Sequence, residues 1–332
     1  MGKKFCAISI IVLQLLGCGK NHIEEKISRN KKNQLSFFFT LVDTFKVPSQ
    51  SAISRRIFGS ALYKDSLLFF CDGISKKIFK YDISRKIIQA IGKQGERLGE
   101  YETPLDLYIK NDTLIYSDYS TGTIEYLDFN GNYLNKYFSM SNLELIRKFA
   151  VLDNEVFLLN VFVPQNNNAL LLSSKGGKYF KRPLAIKKLG VELSLCKVLI
   201  TPKNISFINS IEFKIFNLSR VDRKESYITL RGVSDTYTIG DKIDINDFIK
   251  NYRKPFYFDY LKSNSEINYV ICNSFNSNHY LSLFTESGEL INSINMNGTY
   301  LICCKNDKLF FFKYDYETGN TYIVQYKYLL QK

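Results

Sequence analysis

The sequence has few of the residues on which transition-metal centres depend, since it contains only two histidines, His22 and His279. Its cysteines never occur in a CxxC spacing, whereas zinc and copper sites rely on imidazole and thiolate ligands. No G-x-S-x-G motif, phosphate-binding loop or dinucleotide fingerprint is present either. The sequence therefore excludes a histidine-based metal centre and indicates no catalytic residue, so an enzyme is not the favoured interpretation.

Tryptophan is absent and proline is scarce, at 6 residues, whereas phenylalanine and tyrosine supply 26 and 23 residues. No low-complexity block occurs and 45% of the residues are hydrophobic, which excludes a disordered protein. Aromatic and β-branched residues favour strands that pack against other strands. The composition predicts a large core built from β-strands.

No run of five or more basic residues occurs, although the formal net charge is +13. Such an excess of charge suits an anionic partner such as a polysaccharide or lipid headgroups. Because the lysines are scattered, the favoured interpretation is a solvated basic surface. Nucleic acid is not expected as a partner.

The first 17 residues have the pattern of an export signal. Lys3 and Lys4 precede a short apolar run, Phe5–Leu13, which is too short to span a bilayer. The following Leu15–Cys18 (LLGC) resembles the lipobox of bacterial lipoproteins, in which Cys18 is acylated and becomes the new N-terminus. The alternative is an ordinary secretory peptide with an incidental cysteine.

The lipobox resemblance implies an exported protein attached to a membrane through acyl chains on Cys18. Gly19 stands where an aspartate would resemble an inner-membrane retention signal, which favours the outer membrane. The sequence does not indicate which face of that membrane the protein occupies. Five further cysteines lie in apolar runs and are expected to be buried free thiols: Cys71, Cys196, Cys272, Cys303 and Cys304.

Beyond a polar tether, residues 18–34, the chain consists of apolar runs separated by turn residues, which is typical of an all-β protein. Residues 104–138 contain four such runs. Their last connection contains Asn130-Gly131, which predicts a two-residue type I′ hairpin with positive φ at both residues. Similar units begin near residues 60, 145, 193, 256 and 299.

A repeat of four strands in about 40–50 residues predicts a β-propeller. The last unit has three strands, and the segment Leu35–Val47 has no unit of its own. We therefore expect residues 35–332 to form a six-bladed β-propeller of four-stranded antiparallel blades, with the N-terminal strand closing the last blade from outside. Two β-sandwiches are the alternative.

One stretch resembles an NHL repeat. The residues that carry the resemblance are Gly95, Gly99, Tyr101, Pro104, Ile115–Asp118, Gly122, Ile124 and Asp128–Gly131. The whole chain is similar to lipoproteins known only as six-bladed or TolB-like propellers. These resemblances imply a fold and no particular activity. Related propeller families include lactonases and lyases with an axial metal ion, so a calcium site of carboxylates and carbonyls stays open, although no EF-hand-like spacing is present.

In a propeller, the loops between second and third strands lie on the same face as the connections between blades, and we call this the loop face. It is expected to collect the segments 72–77, 93–101, 118–122, 164–168, 273–278 and 316–320, and the longest connection, 232–255. Within that connection, Asp244–Tyr252 has the apolar spacing of a helix. This helix would either contact a partner or cover the blade junction. The candidate binding residues are Lys93, Arg97, Tyr101, Asp118, Tyr119, Asp72 and Lys76.

Asp72 and Asp118 follow the second strands of adjacent units, where a carboxylate can accept hydrogen bonds from the turn itself. A structural role is favoured for both. The leading hypothesis for function is a non-catalytic binding or scaffold module that recognises a peptide, glycan or envelope protein. The alternatives are a calcium-dependent hydrolase or lyase and a structural subunit of an envelope complex.

Overall fold

The computed structural model describes residues 36–51, 53–54, 57–139, 148–152, 155–160, 168–175, 178–187, 198–201, 203–209, 213–232, 254–263, 266–275, 278–296 and 299–331. The predicted signal peptide, Cys18 and the tether lie outside these ranges. Regular structure within them is β-strand, apart from a 3-10 turn at Ser49–Ser51. None of the helical segments in these ranges is long and apolar enough to cross a membrane.

The strands form six four-stranded antiparallel sheets and one short parallel pair. The first strand, β1 (Ser36–Lys46), belongs to the last sheet. Blade 1 contains β2 (Ile57–Tyr63), β3 (Leu67–Asp72), β4 (Lys77–Asp82) and β5 (Ile87–Ile91). The parallel pair is β6 (Lys93–Gln94) and β7 (Glu100–Tyr101). Blade 2 contains β8 (Pro104–Lys110), β9 (Thr113–Asp118), β10 (Thr123–Leu127) and β11 (Tyr133–Ser139).

The remaining blades follow in chain order. Blade 3 contains β12 (Lys148–Leu152), β13 (Glu155–Asn160), β14 (Asn168–Lys175) and β15 (Lys178–Lys187). Blade 4 contains β16 (Leu199–Ile200), β17 (Asn204–Asn209), β18 (Lys214–Ser219) and β19 (Glu225–Thr229). Blade 5 contains β20 (Lys254–Ser263), β21 (Glu266–Phe275), β22 (Asn278–Phe284) and β23 (Leu290–Asn295). Blade 6 contains β24 (Thr299–Lys305), β25 (Lys308–Tyr314), β26 (Thr321–Gln331) and β1.

Contacts between blades close a ring. The first strands contact one another from β2 to β8, β8 to β12 and β12 to β16, then from β20 to β24 and from β24 back to β2. The remaining step is made by β17 and β20. Each sheet is thus packed between two neighbours with its first strand innermost. The six sheets form a β-propeller, which confirms the predicted fold.

The N-terminal strand completes the last blade. Strand β1 pairs antiparallel with β26 from Ser36↔Gln331 to Lys46↔Tyr322, and the sheet order is β1-β26-β25-β24. The predicted closure by the segment 35–47 is confirmed. It removes a free edge from β26, because an unpaired strand exposes its backbone amide and carbonyl groups.

Burial follows the position of each strand in its blade. The second strands β3, β9 and β17 are buried from their second residue to their last, because both faces of a middle strand contact a neighbouring sheet. Leu68, Phe69, Phe70 and Cys71 accordingly form a continuous buried run. The fourth strands β5 and β19 lie at the outside and are mostly exposed or half-buried. The core therefore consists of layers between blades.

Two predicted turns differ from the structure. The connection between β10 and β11 spans five residues, and Gly131 has positive φ (89°) whereas Asn130 does not. The Gly131 amide donates to the Asp128 carbonyl at 3.0 Å, which describes a type I turn followed by a left-handed glycine rather than a type I′ hairpin. The segment 273–278, expected as a loop, is strand up to Phe275 and again from Asn278.

Cys71, Cys272, Cys303 and Cys304 are buried free thiols, as expected. Cys196, the predicted helix Asp244–Tyr252, most of the connection 232–255 and residues 164–167 lie outside the described residues. His279 stacks edge-on against Tyr300 with ring centroids 4.9 Å apart. Burial lowers the pKa of His279.

Candidate functional site

The loop face brings together connections from neighbouring blades 6, 1 and 2. Its described loops are 73–76, 119–122 and 315–320, each between a second and a third strand. The described residues 47–51 and 53–54 and the connection 92–103 lie on the same face, because four antiparallel strands return the chain to the end from which it entered. A hydrogen bond from the Tyr119 amide to the Thr103 carbonyl (2.9 Å) joins one connection to one loop.

Asp72 ends β3 and is fully buried. Its Oδ1 accepts hydrogen bonds from the amides of Ile74 and Ser75, both at 2.9 Å, and from the Ser54 hydroxyl at 2.7 Å. Its Oδ2 accepts from the Ser54 amide. The carboxylate therefore holds the loop after β3 against the connection that enters the same blade.

Asp118 repeats this arrangement at the end of β9. Its Oδ1 accepts from the Ser120 amide at 2.9 Å, and its Oδ2 accepts from the Glu102 amide at 2.6 Å. Like Asp72, it is buried, so both carboxylates are used inside the protein. The structural role favoured from the sequence describes both residues better than direct contact with a ligand.

Tyr101 lies inside the protein rather than on the loop face, with 2% of its surface exposed. Its hydroxyl donates to the Ile91 carbonyl at 2.8 Å and accepts from the Ile78 amide at 3.3 Å. Burial raises its pKa to about 12. The sequence-based placement of Tyr101 on a binding surface is therefore corrected: its ring fills the junction between blades 1 and 2.

Lys93 and Arg97 lie on the loop 93–101, which the β6–β7 pair and a bond from the Gly95 amide to the Tyr101 carbonyl (3.0 Å) hold in place. The Lys93 Nζ lies 2.5 Å from Glu100 Oε1, and this hydrogen bond lowers the pKa of Glu100. The Arg97 amide donates to the other Glu100 oxygen at 3.2 Å. Lys93 is thus engaged with Glu100, whereas the Arg97 side chain is exposed at the tip of the loop.

The loop face also presents three large apolar side chains that the sequence did not indicate. Ile74, Leu98 and Tyr316 are 72%, 73% and 70% exposed and come from three different connections of blades 1, 2 and 6. On the same face, Tyr119 is half-buried and Lys76 is exposed. An apolar residue inside a short polar turn was the available signal, and it is a weak one because isolated exposed apolar residues are common.

The Cys71 thiol lies in an apolar cluster with Ile78 and Tyr101, near three carboxylates. Burial raises its pKa, and the nearby carboxylates of Asp106, Asp118 and Asp72 raise it further. The thiol is therefore protonated and unreactive at neutral pH. Over the described ranges, no three His, Cys, Asp or Glu residues are grouped so as to hold a metal ion.

Comparison with known proteins gives structural relatives only. No protein-family model matches the sequence, and no curated protein sequence matches it. A candidate exported protein of Bacteroides fragilis has a TM-score of 0.64 at 11% identity, over 91% of this chain and 98% of its own. A DUF4221 family member of Bacteroides vulgatus has a TM-score of 0.60 at 9% identity, over 90% of this chain and 100% of its own.

Virginiamycin B lyase from Staphylococcus aureus is a third structural relative, with a TM-score of 0.52 at 8% identity over 87% of this chain and 99% of its own. At such low identity the likeness describes the fold and does not extend to activity. The chain is a β-propeller whose structural relatives have the same architecture.

Proposed function

We propose that this protein is an exported, lipid-anchored β-propeller that binds a peptide, glycan or envelope protein on its loop face without chemical change. The observation that carries the proposal is the group of exposed apolar side chains Ile74, Leu98 and Tyr316, with Lys76 and Arg97 on the same loops. Exposed apolar and aromatic side chains among cations are typical of binding surfaces.

Hydrogen bonds to carboxylates fix the conformation of loops on this face. The buried carboxylates of Asp72 and Asp118 accept hydrogen bonds from the loops 73–76 and 119–122, and Glu100 accepts one from the loop that carries Leu98. A surface fixed before binding loses less conformational entropy when it binds. This supports a binding role better than a catalytic one, because the carboxylates of Asp72 and Asp118 already accept hydrogen bonds from protein donors.

A thermal-shift screen of the chain from residue 19 onward tests the proposal against envelope glycans and peptides. A ligand that binds only the folded protein raises the melting temperature. The variant Ile74→Ser/Leu98→Ser/Tyr316→Ser should lose the shift. The matched control Leu134→Ser/Val221→Ser changes exposed apolar residues outside these loops and should keep it. A shift that survives the triple change contradicts the proposed site.

The calcium-dependent hydrolase or lyase remains the alternative function. Two structural relatives bear the names regucalcin, a calcium-binding protein from Agrobacterium tumefaciens, and gluconolactonase. Repeating the thermal-shift screen with calcium and with EDTA separates the two functions. Stabilisation by calcium alone would favour the enzyme, and stabilisation by a glycan or peptide in EDTA would favour the binding module. If neither shifts the melting temperature, a pull-down with the loop-face triple variant as control tests for a protein partner.

Membrane attachment through acylated Cys18, and an outer-membrane location, are parts of the same proposal. They rest on the sequence of the first 19 residues. Mass spectrometry of the N-terminal peptide from the membrane-extracted protein should show an acylated cysteine at its start. Signal-peptide cleavage at another bond, leaving Cys18 unmodified, would indicate a soluble exported protein instead.

A further inference from the structure

An open cavity of about 280 Å³ lies on blade 2, away from the loop face. All four strands of the blade and one turn contribute to it, and its lining consists of Lys110, Asn111, Thr113, Tyr126, Leu134 and Asn135. The turn Asn111–Asp112 joins the first and second strands, so it lies at the other end of the sheet from the loop 119–122. The cavity is therefore separate from the proposed loop-face surface.

Strand register brings most of the lining side chains to one face of the sheet. Lys110 pairs with Thr113 across the turn, and Tyr126 pairs with Asn135 on the outer side of the blade. Ile115, the other partner of Tyr126, is two residues after Thr113, and alternate residues of a strand share a face. The sheet thus presents a cation, a hydroxyl, an aromatic ring and an amide side by side.

A β-bulge adds an apolar side chain to this group. The register shifts between Tyr126↔Asn135 and Leu127↔Tyr133, so Leu134 has no opposing residue in β10. Bulges redirect side chains and are common beside binding sites. Leu134 is accordingly 52% exposed, and with the half-buried Tyr126 it supplies the apolar part of the lining.

Of the six lining residues, Lys110 alone is charged. The adjacent Asp112 contacts blade 1 instead, where its Oδ1 accepts a hydrogen bond from the Tyr63 hydroxyl and lies 3.8 Å from the Lys64 Nζ. The lining therefore carries one positive charge among neutral polar groups.

The neutral groups of the lining both donate and accept hydrogen bonds. The Thr113 hydroxyl donates to the Asn111 carbonyl at 3.3 Å, so its oxygen can still accept. The Asn135 Oδ1 accepts from the Lys136 amide at 2.8 Å, which orients the side chain and leaves its NH₂ group to act as a donor. Neighbouring hydroxyls on a sugar ring offer the same mixture of donors and acceptors.

We propose that this cavity binds one sugar acid. Its carboxylate pairs with Lys110, its hydroxyls exchange hydrogen bonds with the asparagine and threonine side chains, and the apolar side of its ring packs on Tyr126. A volume of about 280 Å³ is at the small end of ligand cavities and suits a single hexose-sized ring.

The lining favours a sugar acid over other small anions. An amino acid would bring an ammonium group, and none of the six lining residues is a carboxylate that could accept from it. A phosphate is usually held by arginine forks or by several donors, whereas a single lysine matches a single negative charge. The proposal does not depend on the loop-face function, because the two sites share no residue.

Titration calorimetry of the chain from residue 19 onward with sodium glucuronate tests the proposal at low ionic strength, where an exposed charge is least screened. A ligand of about 13 non-hydrogen atoms with ordinary ligand efficiency should bind with a Kd of about 1 mM. Glucose lacks the carboxylate and acetate lacks the ring, so each should bind at least about tenfold more weakly. A galacturonate tetramer then identifies the source: binding as tight as that of galacturonate indicates a polysaccharide, and weaker binding indicates a free sugar acid.

Two variants locate the binding. Lys110→Met keeps the aliphatic stem without the charge, and Leu134→Asp places a like charge beside the ligand; each should weaken glucuronate binding at least about tenfold. Lys224→Met, which changes an exposed lysine of blade 4, is the matched control and should bind normally. The variant Ile74→Ser/Leu98→Ser/Tyr316→Ser should also bind normally, which separates this site from the loop face. Circular dichroism confirms that each variant is folded.

Three outcomes would overturn the proposal. The folded protein could give no heat with glucuronate at ten times the expected Kd, or acetate could bind as tightly as glucuronate, which would describe a site for any anion. Binding could instead survive in Lys110→Met and Leu134→Asp, which would place the sugar acid elsewhere on the protein.

Discussion

Lys76 occupies in blade 1 the position that Gly122 occupies in blade 2. Each is the fifth residue of a turn that begins with a buried aspartate, Asp72 or Asp118, and each has a left-handed backbone, with φ of 54° and 64°. The same pattern recurs at Asp315–Gly319, where the Gly319 amide donates to the Asp315 carbonyl at 2.8 Å. The turn geometry is thus shared, while the residue at its strained position is not.

Lys76→Gly should stabilise the protein by up to about 1 kcal/mol, because a side chain in the left-handed region is strained and glycine is not. Part of the gain is lost to the greater freedom of glycine in the unfolded chain. Urea unfolding measures the change. Lys77→Gly, one residue further in β4, is the control. It should destabilise the protein, because Lys77 has no left-handed backbone strain that glycine could relieve. A loss of stability in Lys76→Gly would contradict the strain argument.

Asp72→Ala and Asp118→Ala should each cost about 3 kcal/mol, because several amide donors lose a buried charged acceptor at once. Asp315→Ala removes a carboxylate that accepts from Glu317 and Thr318 in an exposed turn and should cost much less. Chemical denaturation of the three variants compares them. Equal losses would show that burial of the turn is not what makes the two carboxylates important.

The protein should lose stability as the pH rises from about 10 to 12. Burial raises the pKa of Tyr81, Tyr101 and Tyr269 to about 12, so the folded state retains phenolic protons that the unfolded chain releases near pH 10. The contribution is complete below pH 10 and declines up to pH 12, by about 1.4 kcal/mol per pH unit for each tyrosine.

Tyr101→Phe should therefore reduce the loss of unfolding free energy with rising pH by about 1.4 kcal/mol per pH unit. The substitution also removes the hydrogen bond to the Ile91 carbonyl. Urea unfolding at several values between pH 9 and 12 gives the slope. Tyr316→Phe removes the hydroxyl of an exposed tyrosine and is the control for the substitution itself. An unchanged slope in Tyr101→Phe would mean that this phenol ionises without unfolding.

Gly59→Ala should destabilise the junction of blades 1 and 2 by about 3 kcal/mol. A Cβ at Gly59 would lie 2.6 Å from the Asp106 Cα, which is backbone and cannot move aside alone. Gly319→Ala is the comparison, because a Cβ there meets only the Tyr314 hydroxyl at 3.8 Å while φ is 69°. It should cost about 1 kcal/mol through backbone strain. A smaller loss of stability in Gly59→Ala than in Gly319→Ala would show that the two blades can move apart to accommodate the added methyl group.

The fold was predictable because it depends on patterns of neighbouring residues. Apolar runs between short turns predicted the six sheets, and the surplus segment 35–47 predicted the closure of blade 6. The prediction of a two-residue turn at Asn130-Gly131 was wrong because the Asp128 side chain stabilises a wider turn. The Asp128 Oδ1 accepts hydrogen bonds from the amides of Asn130 and Asn132, both at 2.8 Å.

The candidate site was less predictable, because exposure depends on tertiary packing. Tyr101 follows Glu100 in the loop, yet its ring turns inward to the carbonyl of Ile91 and the amide of Ile78, which are distant in sequence. Leu98, three residues earlier, is exposed although its side chain is apolar. Only the packing of blade 1 against blade 2 distinguishes the two positions.

The pairing of β1 with β26 also determines when the ring can close. Ser36 and Gln331 lie far apart in the sequence, so the last blade is incomplete until both β1 and β26 have been synthesised. Contacts between such distant residues form slowly, because a long loop must be closed first. A protein truncated before Thr321 would leave β1 without its partner, and we expect a chain of that kind to be degraded rather than to accumulate.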